Sequence, residues 1–168
     1  MKQQIDVTVA LDIWGTAVAD VENLCQKAAA EAIAVSARAM PGSEISVLLC
    51  DDNTVSRLNG EFRGHAQPTN VLSFSIGSAE VGPQSLLLGD VAIAFETVAA
   101  EAMSSQLSIA DHLMHLVVHG VLHLLGYDHH AKREADKMEA LEVEILERLG
   151  VNNPYSTNTN VEMHASPA

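Results

Sequence analysis

Strand-like and helical segments alternate along this chain of 168 residues, and the alternation predicts a single α/β or α+β domain. Four segments have strand patterns, so we expect a small mixed sheet covered by helices. Residues 109–125 are strongly apolar and carry histidines at helical spacing, which predicts a central and largely buried helix.

Four segments are predicted to form the strands: residues 4–11, 44–50, 70–75 and 86–95. The first alternates apolar residues with polar neighbours, the pattern of a half-buried strand. The last contains Asp90 after Gly89 in an otherwise apolar run, where a buried carboxylate is costly unless it has a partner. Residues 77–85 have the composition of an exposed connection between the third and fourth strands.

Five segments are predicted to be helical: residues 18–39, 54–62, 96–106, 109–125 and 131–149. The first is rich in alanine and stops before Pro41, and the second can be capped by one of the three polar residues that precede it. Ser108 is the expected cap of the histidine-bearing helix. The charged residues of the last helix are interpreted as a solvated surface.

Composition gives the expected extent and surroundings of the domain. Hydrophobic residues make up 48% of the chain and aromatics only 4%, so the core should consist of small and branched aliphatic side chains. We expect residues 1–155 to form the domain, and residues 156–168, which are polar and aperiodic, to be a disordered tail.

No signal segment and no long apolar run is visible, so a cytoplasmic protein without membrane association is expected. Cys25 and Cys50 lack metal spacing and are expected to be reduced core residues.

The net charge of −13 is unusual for a protein that binds nucleic acid, because neutralising phosphates with basic side chains supplies much of that affinity. Only five of the nine Lys and Arg residues precede the histidine-bearing helix. If the substrate is RNA, either a small patch around Arg57 and Arg63 holds it or a larger assembly presents it. The charge alone favours a small-molecule or protein substrate.

Three histidines in the segment HGVLHLLGYDH have the spacing of metal ligands: His119, His123 and His129. Residues four apart lie on one face of a helix, so the first two can point at one ion. Gly126 can take a left-handed conformation, which would end the helix and return His129 as the third ligand. Three neutral imidazoles leave a fourth position open, which is typical of a catalytic zinc, and one ion per chain is expected.

The same histidine spacing occurs in zinc peptidases with the motif HExxHxxGxxH, in which the glutamate after the first histidine is the general base. Gly120 occupies that position here. General acid and base catalysis is typically worth ~10²- to 10⁴-fold, so a peptidase of this type without its base would lose most of its rate. The histidines therefore indicate a metal hydrolase of another kind.

The segment HGVLHLLGYDH also resembles the signature of the YbeY family, the bacterial rRNA maturation factors and metal-dependent endoribonucleases. Four other segments fit the same family in the same order: LNGEFRG (58–64), PTNVLSF (68–74), LLGDVAIA (87–94) and MEALEVEIL (138–146). Together they cover most of residues 5–155. The resemblance implies an α+β fold with the metal site at one end of the central helix.

This resemblance implies a zinc-dependent endoribonuclease that cleaves single-stranded RNA during rRNA maturation, at the 3′ end of the small-subunit rRNA, and in ribosome quality control. The expected partners are rRNA and the ribosomal small subunit or its proteins, and no DNA is expected. The chemistry would be phosphodiester hydrolysis at the zinc, and no residue stands out as a general base. Two other classes stay open: a metallopeptidase-like hydrolase and a non-enzymatic ribosome-assembly factor with a structural zinc.

Arg63 has two explanations on spacing alone. It is either a surface arginine paired with an acidic neighbour or a guanidinium that grips a phosphate through paired hydrogen bonds. The segment EFRG is similar to the (Y/F)RG of the family, whose arginine is a functional residue. The resemblance therefore makes Arg63 a catalytic or substrate-binding residue, which would stabilise charge on the phosphate. Phe62 stands where the family frequently has tyrosine, which suggests that this hydroxyl is dispensable.

Three more residues are candidates for hydrogen bonding to the metal-binding histidines: Asp90, Asp128 and His115. Asp128 is equally well explained as a turn carboxylate. His115 contacts a metal ligand or the substrate, or else is a hydrogen-bonded core histidine, and His112 is interpreted as structural. Asn70 and the threonine before it are interpreted as turn-forming, although their side chains can hydrogen-bond a sugar or a phosphate.

Overall fold

Residues 3–39, 41–64, 69–75 and 87–155 are described by a computed structural model, which for Arg63 describes the backbone alone. This part of the chain forms four strands: β1 (Gln4–Val9), β2 (Glu44–Cys50), β3 (Val71–Ser75) and β4 (Leu87–Ala94). It also forms six helices: α1 (Ile13–Ala17), α2 (Val21–Ser36), α3 (Asp52–Arg63), α4 (Phe95–Ser104), α5 (Ile109–Leu124) and α6 (Lys132–Arg148). The predicted α+β fold is confirmed.

The described strands form one four-stranded sheet in the order β1-β2-β4-β3. β1, β2 and β4 are parallel, and Val47 of β2 lies in register between Val7 of β1 and Val91 of β4. β3 runs antiparallel to β4 and pairs Phe74 with Asp90. The mixed sheet agrees with the prediction, which left the strand order open.

Each predicted strand and helix is present, and the bounds differ by a few residues. The largest difference is in α2, which was expected over residues 18–39 and spans Val21–Ser36. Asp20 and Ala37, which flank it, have φ angles of 51° and 56°, so the backbone leaves the helical region at both ends. Asp51 is the cap of α3, since its side chain accepts a hydrogen bond from Thr54 N at 2.8 Å.

The short helix α1 was not predicted. It has five residues, too few to show a helical period in the sequence, and it serves to bury Trp14 completely. The Trp14 ring meets Phe95 edge to face with centroids 4.9 Å apart, and its Nε1–H donates to the Cys50 carbonyl at 3.0 Å. These long-range contacts, and not local propensity, hold α1 in place.

Helices cover both faces of the sheet. The side chains of Val91 and Ile93 on β4 belong to the larger core, which residues of α2, α5 and α6 complete. The alternate residues Ala92 and Ala94 belong to a smaller core with Val55 of α3. This alternation is what a strand buried on both faces requires, and it places α5 and α3 on opposite sides of the sheet.

Cys25 and Cys50 are buried and free, in agreement with the prediction. Burial raises the pKa of the Cys25 thiol to about 12 and is the main cause that raises the pKa of Cys50 to about 11. Both thiols are therefore protonated at neutral pH and pack as small apolar side chains.

Gly120 lets α5 approach the sheet closely. A Cβ atom at this position would lie 2.7 Å from Cγ1 of Val91 and 3.2 Å from Oγ of Ser73. The Ser73 hydroxyl donates a hydrogen bond to the Gly120 carbonyl at 3.0 Å. A side chain at position 120 would therefore collide with β3 and β4, and glycine is needed for this packing distance.

Among the residues that the structure describes, no single helix is both long and apolar enough to cross a membrane. α4 and α5 meet the length and composition criterion only as a pair, and they are bent by 117° at their junction. The predicted connection at residues 77–85 and the predicted tail at residues 156–168 lie outside the described residues. The extent of the domain, residues 1–155, stays a prediction.

Candidate metal centre

The four histidines of α5 lie on the half-exposed face of this helix. Its opposite face is buried in the larger core through residues such as Leu113, Val117 and Val121. Ser108 caps the helix as predicted, because its Oγ accepts a hydrogen bond from Asp111 N at 3.0 Å. A helix fixed along its apolar face holds the side chains of its other face in a defined position.

A glycine turn ends α5 and returns the chain toward the histidines. Gly126 has a φ of 93°, in the left-handed region, as the sequence predicts. Tyr127 N donates to the Leu122 carbonyl and Gly126 N donates to the His123 carbonyl, both at 3.0 Å, which is the hydrogen-bond pattern of a Schellman motif. The Arg38 guanidinium lies 3.7 Å from the centroid of the Tyr127 ring, so the turn is held from outside as well.

The turn brings the predicted metal ligands together. One ring nitrogen from each of His119, His123 and His129 lies within 4.8 Å of the others, and Nε2 of His119 is 3.1 Å from Nε2 of His123. The three rings line a cleft of about 580 Å³ that is bordered by β3 and by the turn after α5. We call these three residues the histidine cluster.

Hydrogen bonds to the other ring nitrogens decide which nitrogen faces the cleft. Nδ1–H of His119 donates to Glu142 Oε2, and Nδ1–H of His123 donates to the Tyr127 carbonyl, both at 3.0 Å. Because these oxygens are acceptors, each Nε2 carries a lone pair. Two lone pairs 3.1 Å apart cannot hydrogen-bond to each other, and a cation between them suits both.

His123 is held in its neutral form. Burial is the main cause that lowers its pKa, and the neighbouring His119 and His129 lower the pKa further through charge repulsion. A neutral imidazole is the form that binds a metal ion. The cluster therefore favours the ligand form of His123 before any ion binds.

Like Tyr155, Glu142 of α6 is a residue of this site that the sequence analysis missed. Its carboxylate is 1% exposed and accepts hydrogen bonds from Nε2–H of His115 at 2.6 Å, Nδ1–H of His119 at 3.0 Å and the Tyr155 hydroxyl at 2.7 Å. The interpretation of all charges of α6 as solvated surface is therefore wrong for Glu142. A usable signal was present, because Glu142 lies four residues after Met138 and three before Ile145 on the apolar face of the helix.

The hydrogen bonds of Glu142 outweigh the cost of its burial. Burial alone raises the pKa of this carboxyl, but the hydrogen bonds from His115 and His119 lower it more, and the resulting pKa is about 2. Tyr155 is affected in the opposite direction, since burial and the adjacent carboxylate raise its pKa. Glu142 is therefore ionised at neutral pH and Tyr155 keeps its hydroxyl proton.

The other predicted partners of the histidines lie in different places. His115 reaches the cluster indirectly, because it shares the Glu142 carboxylate with His119. Asp128 lies in the turn: its Oδ1 accepts from the backbone N–H of His129 at 2.7 Å, and its Oδ2 is 3.3 Å from Nε2 of His130. Asp128 is therefore arranged as a turn carboxylate, the second of the two explanations that its sequence position allowed.

Asp90 does not join the histidine cluster. Asp90, a predicted hydrogen-bond partner of the metal-binding histidines, is exposed, so it needs no buried partner. It alternates with Val91 along β4 and shares the sheet face of Ala92, opposite to α5, because neighbouring strand residues point to opposite faces. Arg63 is the last residue of α3, and its side chain lies outside the described part of the chain.

Comparison with known proteins identifies the family. A family model described as Endoribonuclease YbeY matches residues 12–150, which is most of the chain. The chain belongs to the endoribonuclease YbeY family. This agrees with the resemblance found in the segment from His119 to His129.

Two relatives named Endoribonuclease YbeY are similar over almost the whole chain. The protein from Paramagnetospirillum magneticum is 49% identical over 161 residues, which span 90% of this chain and 97% of the relative. The protein from Rhodospirillum rubrum is 45% identical over 163 residues, which span 91% and 82%. The solution structure of TM1509 from Thermotoga maritima matches with a TM-score of 0.57 at 20% identity, covering 94% of this chain and 97% of that one. At 20% identity this similarity is evidence for the fold alone, and it agrees with the α+β fold described above.

Replacing Glu142 by glutamine is expected to flatten the dependence of stability on pH in the acid range. The folded-state pKa of about 2 lies below the ordinary value of 4.5, so ionised Glu142 stabilises the fold above that ordinary value. This contribution is lost as the pH falls toward the folded-state pKa. Urea unfolding between about pH 7 and about pH 3 should show the wild type losing more stability than the variant.

Glu144→Gln is the matched control for this experiment. Glu144 lies on the same helix, is exposed, and pairs with Arg148 at 3.6 Å on the surface. An exposed pair of this kind contributes little to stability, so the Glu144→Gln profile should follow the wild type. Parallel profiles for wild type and Glu142→Gln would contradict the assigned hydrogen-bond network.

Proposed function

We propose that this protein is a zinc-dependent endoribonuclease that cleaves single-stranded RNA in rRNA maturation and ribosome quality control. Membership of the YbeY family makes it an endoribonuclease with a role in rRNA maturation. The observation that supports metal dependence is the histidine cluster, in which Nε2 of His119 and Nε2 of His123 face each other at 3.1 Å.

The histidine cluster fits a zinc ion by its donor set and its spacing. Zinc binds imidazole nitrogen at about 2.0–2.1 Å in tetrahedral geometry, which places two ligand nitrogens roughly 3.3 Å apart. The 3.1 Å between the Nε2 atoms of His119 and His123 is close to that separation. Three protein ligands leave room for a further group, as in catalytic zinc sites. A bound zinc supplies Lewis acidity for phosphodiester hydrolysis.

The purified protein is expected to contain about one divalent metal ion per chain. Changing His119, His123 or His129 to alanine should remove it, because two imidazoles hold zinc far more weakly than three. Metal content is measured by inductively coupled plasma mass spectrometry after dialysis. Retention of a full complement by the triple variant would place the metal elsewhere.

His130→Ala is the matched control for metal content. His130 follows His129 directly and its side chain is 87% exposed, with the Asp128 carboxylate at 3.3 Å and the His129 ring stacked at 6.2 Å between centroids. Its removal should leave about one metal ion per chain. Loss of metal from this variant would show that the turn, and not the histidine cluster, controls metal binding.

We propose that Arg63 stabilises the negative charge that develops on the phosphate during cleavage. This role rests on the similarity of the segment EFRG to the family motif and on the position of Arg63 at the end of α3. Gly64 follows with a φ of 75°, so the helix stops there and the chain changes direction. A guanidinium at such a point can bind a phosphate through two parallel hydrogen bonds.

Arg63→Ala is expected to leave folding and metal content intact and to lower RNA cleavage by roughly 10²-fold or more, the size of a lost electrostatic contact to a transition state. Arg63→Lys should recover only part, because an ammonium lacks the guanidinium fork. Cleavage of a defined single-stranded RNA is the measurement. Arg148→Ala is the control and should cleave normally, because Arg148 is an exposed arginine of α6 that pairs with Glu31 and Glu144 on the surface. Parallel loss of metal and activity in Arg63→Ala would make Arg63 structural.

Neither of the two other function classes has a supporting observation. In the peptidase motif position 120 carries the general base, whereas Gly120 here packs against Val91 and Ser73 with no space for a side chain. A purely structural zinc usually has four protein ligands, and the cluster provides three among the described residues.

We propose that rRNA reaches this protein on the ribosomal small subunit or with its proteins, in the cytoplasm, where the 3′ end of the small-subunit rRNA would be its target. The reason is the net charge of −13, which repels free RNA. A presenting assembly adds contacts that this chain lacks and raises the effective concentration of RNA at the cleft.

Binding of free single-stranded RNA is therefore expected to be weak and only slightly dependent on salt. One or two phosphate contacts give a slope of log binding constant against log salt of roughly 0.7 for each contact. Titration of a short single-stranded RNA at several salt concentrations measures this slope. A steep slope with tight binding would reveal a concentrated basic surface and remove the reason for a presenting partner.

A further inference from the structure

A second cavity, of about 410 Å³, adjoins the cleft of the histidine cluster. His119, Asn70 and Val71 line both cavities, so the second continues the first. It extends along α5 from His119 to His112, seven residues or roughly 10 Å along the helix axis. We call it the side cavity. A ligand with one group at His119 can therefore place a neighbouring group in the side cavity.

Glu101 of α4 lines the far end of the side cavity in a fixed orientation. Nε2–H of His112 donates to its Oε1 at 2.8 Å, and Nδ2 of Asn70 donates to Oε1 at 3.0 Å and more weakly to Oε2 at 3.4 Å. A carboxylate accepts about four hydrogen bonds, so Oε2 keeps capacity for a ligand. The Glu101 side chain is 42% exposed and can be reached.

The lining of the side cavity is rich in acceptors. Asn70 directs its amide nitrogen to Glu101, so its Oδ1 is a further acceptor on a residue that lines the same cavity. The negative carboxylate repels a phosphate, so the group that enters is not the phosphate of the RNA. The rings of His115 and Tyr155 also line the cavity, and such rings stack on nucleobases. These features together fit a flat base with hydrogen-bond donors on its edge.

We propose that the side cavity binds a guanine base of the RNA, with Glu101 and Asn70 as the residues that determine base specificity. Guanine presents two adjacent donors, N1–H and N2–H, on its Watson–Crick edge, and a carboxylate offers only acceptors. Adenine and cytosine each place one donor beside an acceptor on that edge, and uracil has one donor between two acceptors. Only guanine therefore matches two neighbouring acceptors.

This inference rests on the proposed endoribonuclease function, because it assigns a base next to the phosphate at the histidine cluster. It would favour cleavage beside guanosine in single-stranded RNA, where the base is free to leave the stack. It also gives His112 a role beyond the structural one expected from the sequence, since His112 positions the Glu101 carboxylate.

The test compares two mononucleotides, GMP and IMP, which differ only in the 2-amino group of the base and contain no phosphodiester to cleave. Dissociation constants are measured by NMR titration of the metal-loaded protein. GMP should bind roughly 10-fold or more tightly than IMP, as expected for one hydrogen bond to a charged acceptor. In Glu101→Gln the ratio should fall to about one. Equal affinities in the wild type, or no binding of millimolar GMP, would overturn the proposal.

Glu147→Gln is the matched control, because it removes the same charge from an exposed position on α6 outside the side cavity, and it should keep the wild-type ratio. Retention of the GMP preference in Glu101→Gln would exclude Glu101 as the acceptor and overturn the assignment. The wild-type comparison needs no variant and stands even if Glu101→Gln misfolds.

Cleavage of a guanosine-containing and an inosine-containing oligonucleotide by the wild type separates this proposal from the proposed function. If both oligonucleotides are cleaved at the same rate and GMP and IMP bind with equal affinity, the guanine subsite is wrong and the endoribonuclease function stands. If GMP binds more tightly than IMP but neither RNA is cleaved, the guanine subsite stands and the proposed endoribonuclease function is wrong.

Discussion

The buried carboxylate of Glu142 joins three parts of the chain at one point. It accepts hydrogen bonds from His115 and His119 on α5 and from Tyr155 after α6, and its exposure is 1%. An ionised carboxylate this far from water is tolerated only with several donors around it, and each donor is equally dependent on the carboxylate. The orientation of His119 is therefore set by a residue 23 positions away in the sequence, through the packing of α6 against α5.

The same dependence explains why the histidine cluster is suited to a cation before one arrives. The Glu142 carboxylate accepts a hydrogen bond from Nδ1–H of His119, and the Tyr127 carbonyl accepts one from Nδ1–H of His123. The Nε2 lone pairs of both histidines therefore face the cleft. Their 3.1 Å separation is close to that of two nitrogen ligands on one zinc ion. Because the fold positions these ligand nitrogens, metal binding and folding stability are linked.

Sequence patterns predicted the parts of the structure that depend on local physics. The helix cap at Ser108, the left-handed turn at Gly126 and the convergence of the three histidines all follow from short-range rules. Glu142 and α1 were missed because their positions depend on contacts far along the chain, and Asp90 was misjudged because the strand face toward α5 could not be assigned without the strand order. Helix ends at Asp20 and Ala37 differed because backbone angles there are not encoded by residue type alone.

The close packing at Gly120 also constrains how this scaffold can diverge. A change from glycine to glutamate at position 120 would complete the HExxH motif in the sequence. In this fold the new side chain would instead be driven into Val91 and Ser73, where its carboxylate would have neither space nor solvent. Evolution toward peptide hydrolysis is therefore blocked by the distance between a helix and a sheet, and the first step would have to be a shift of α5, not a new catalytic residue.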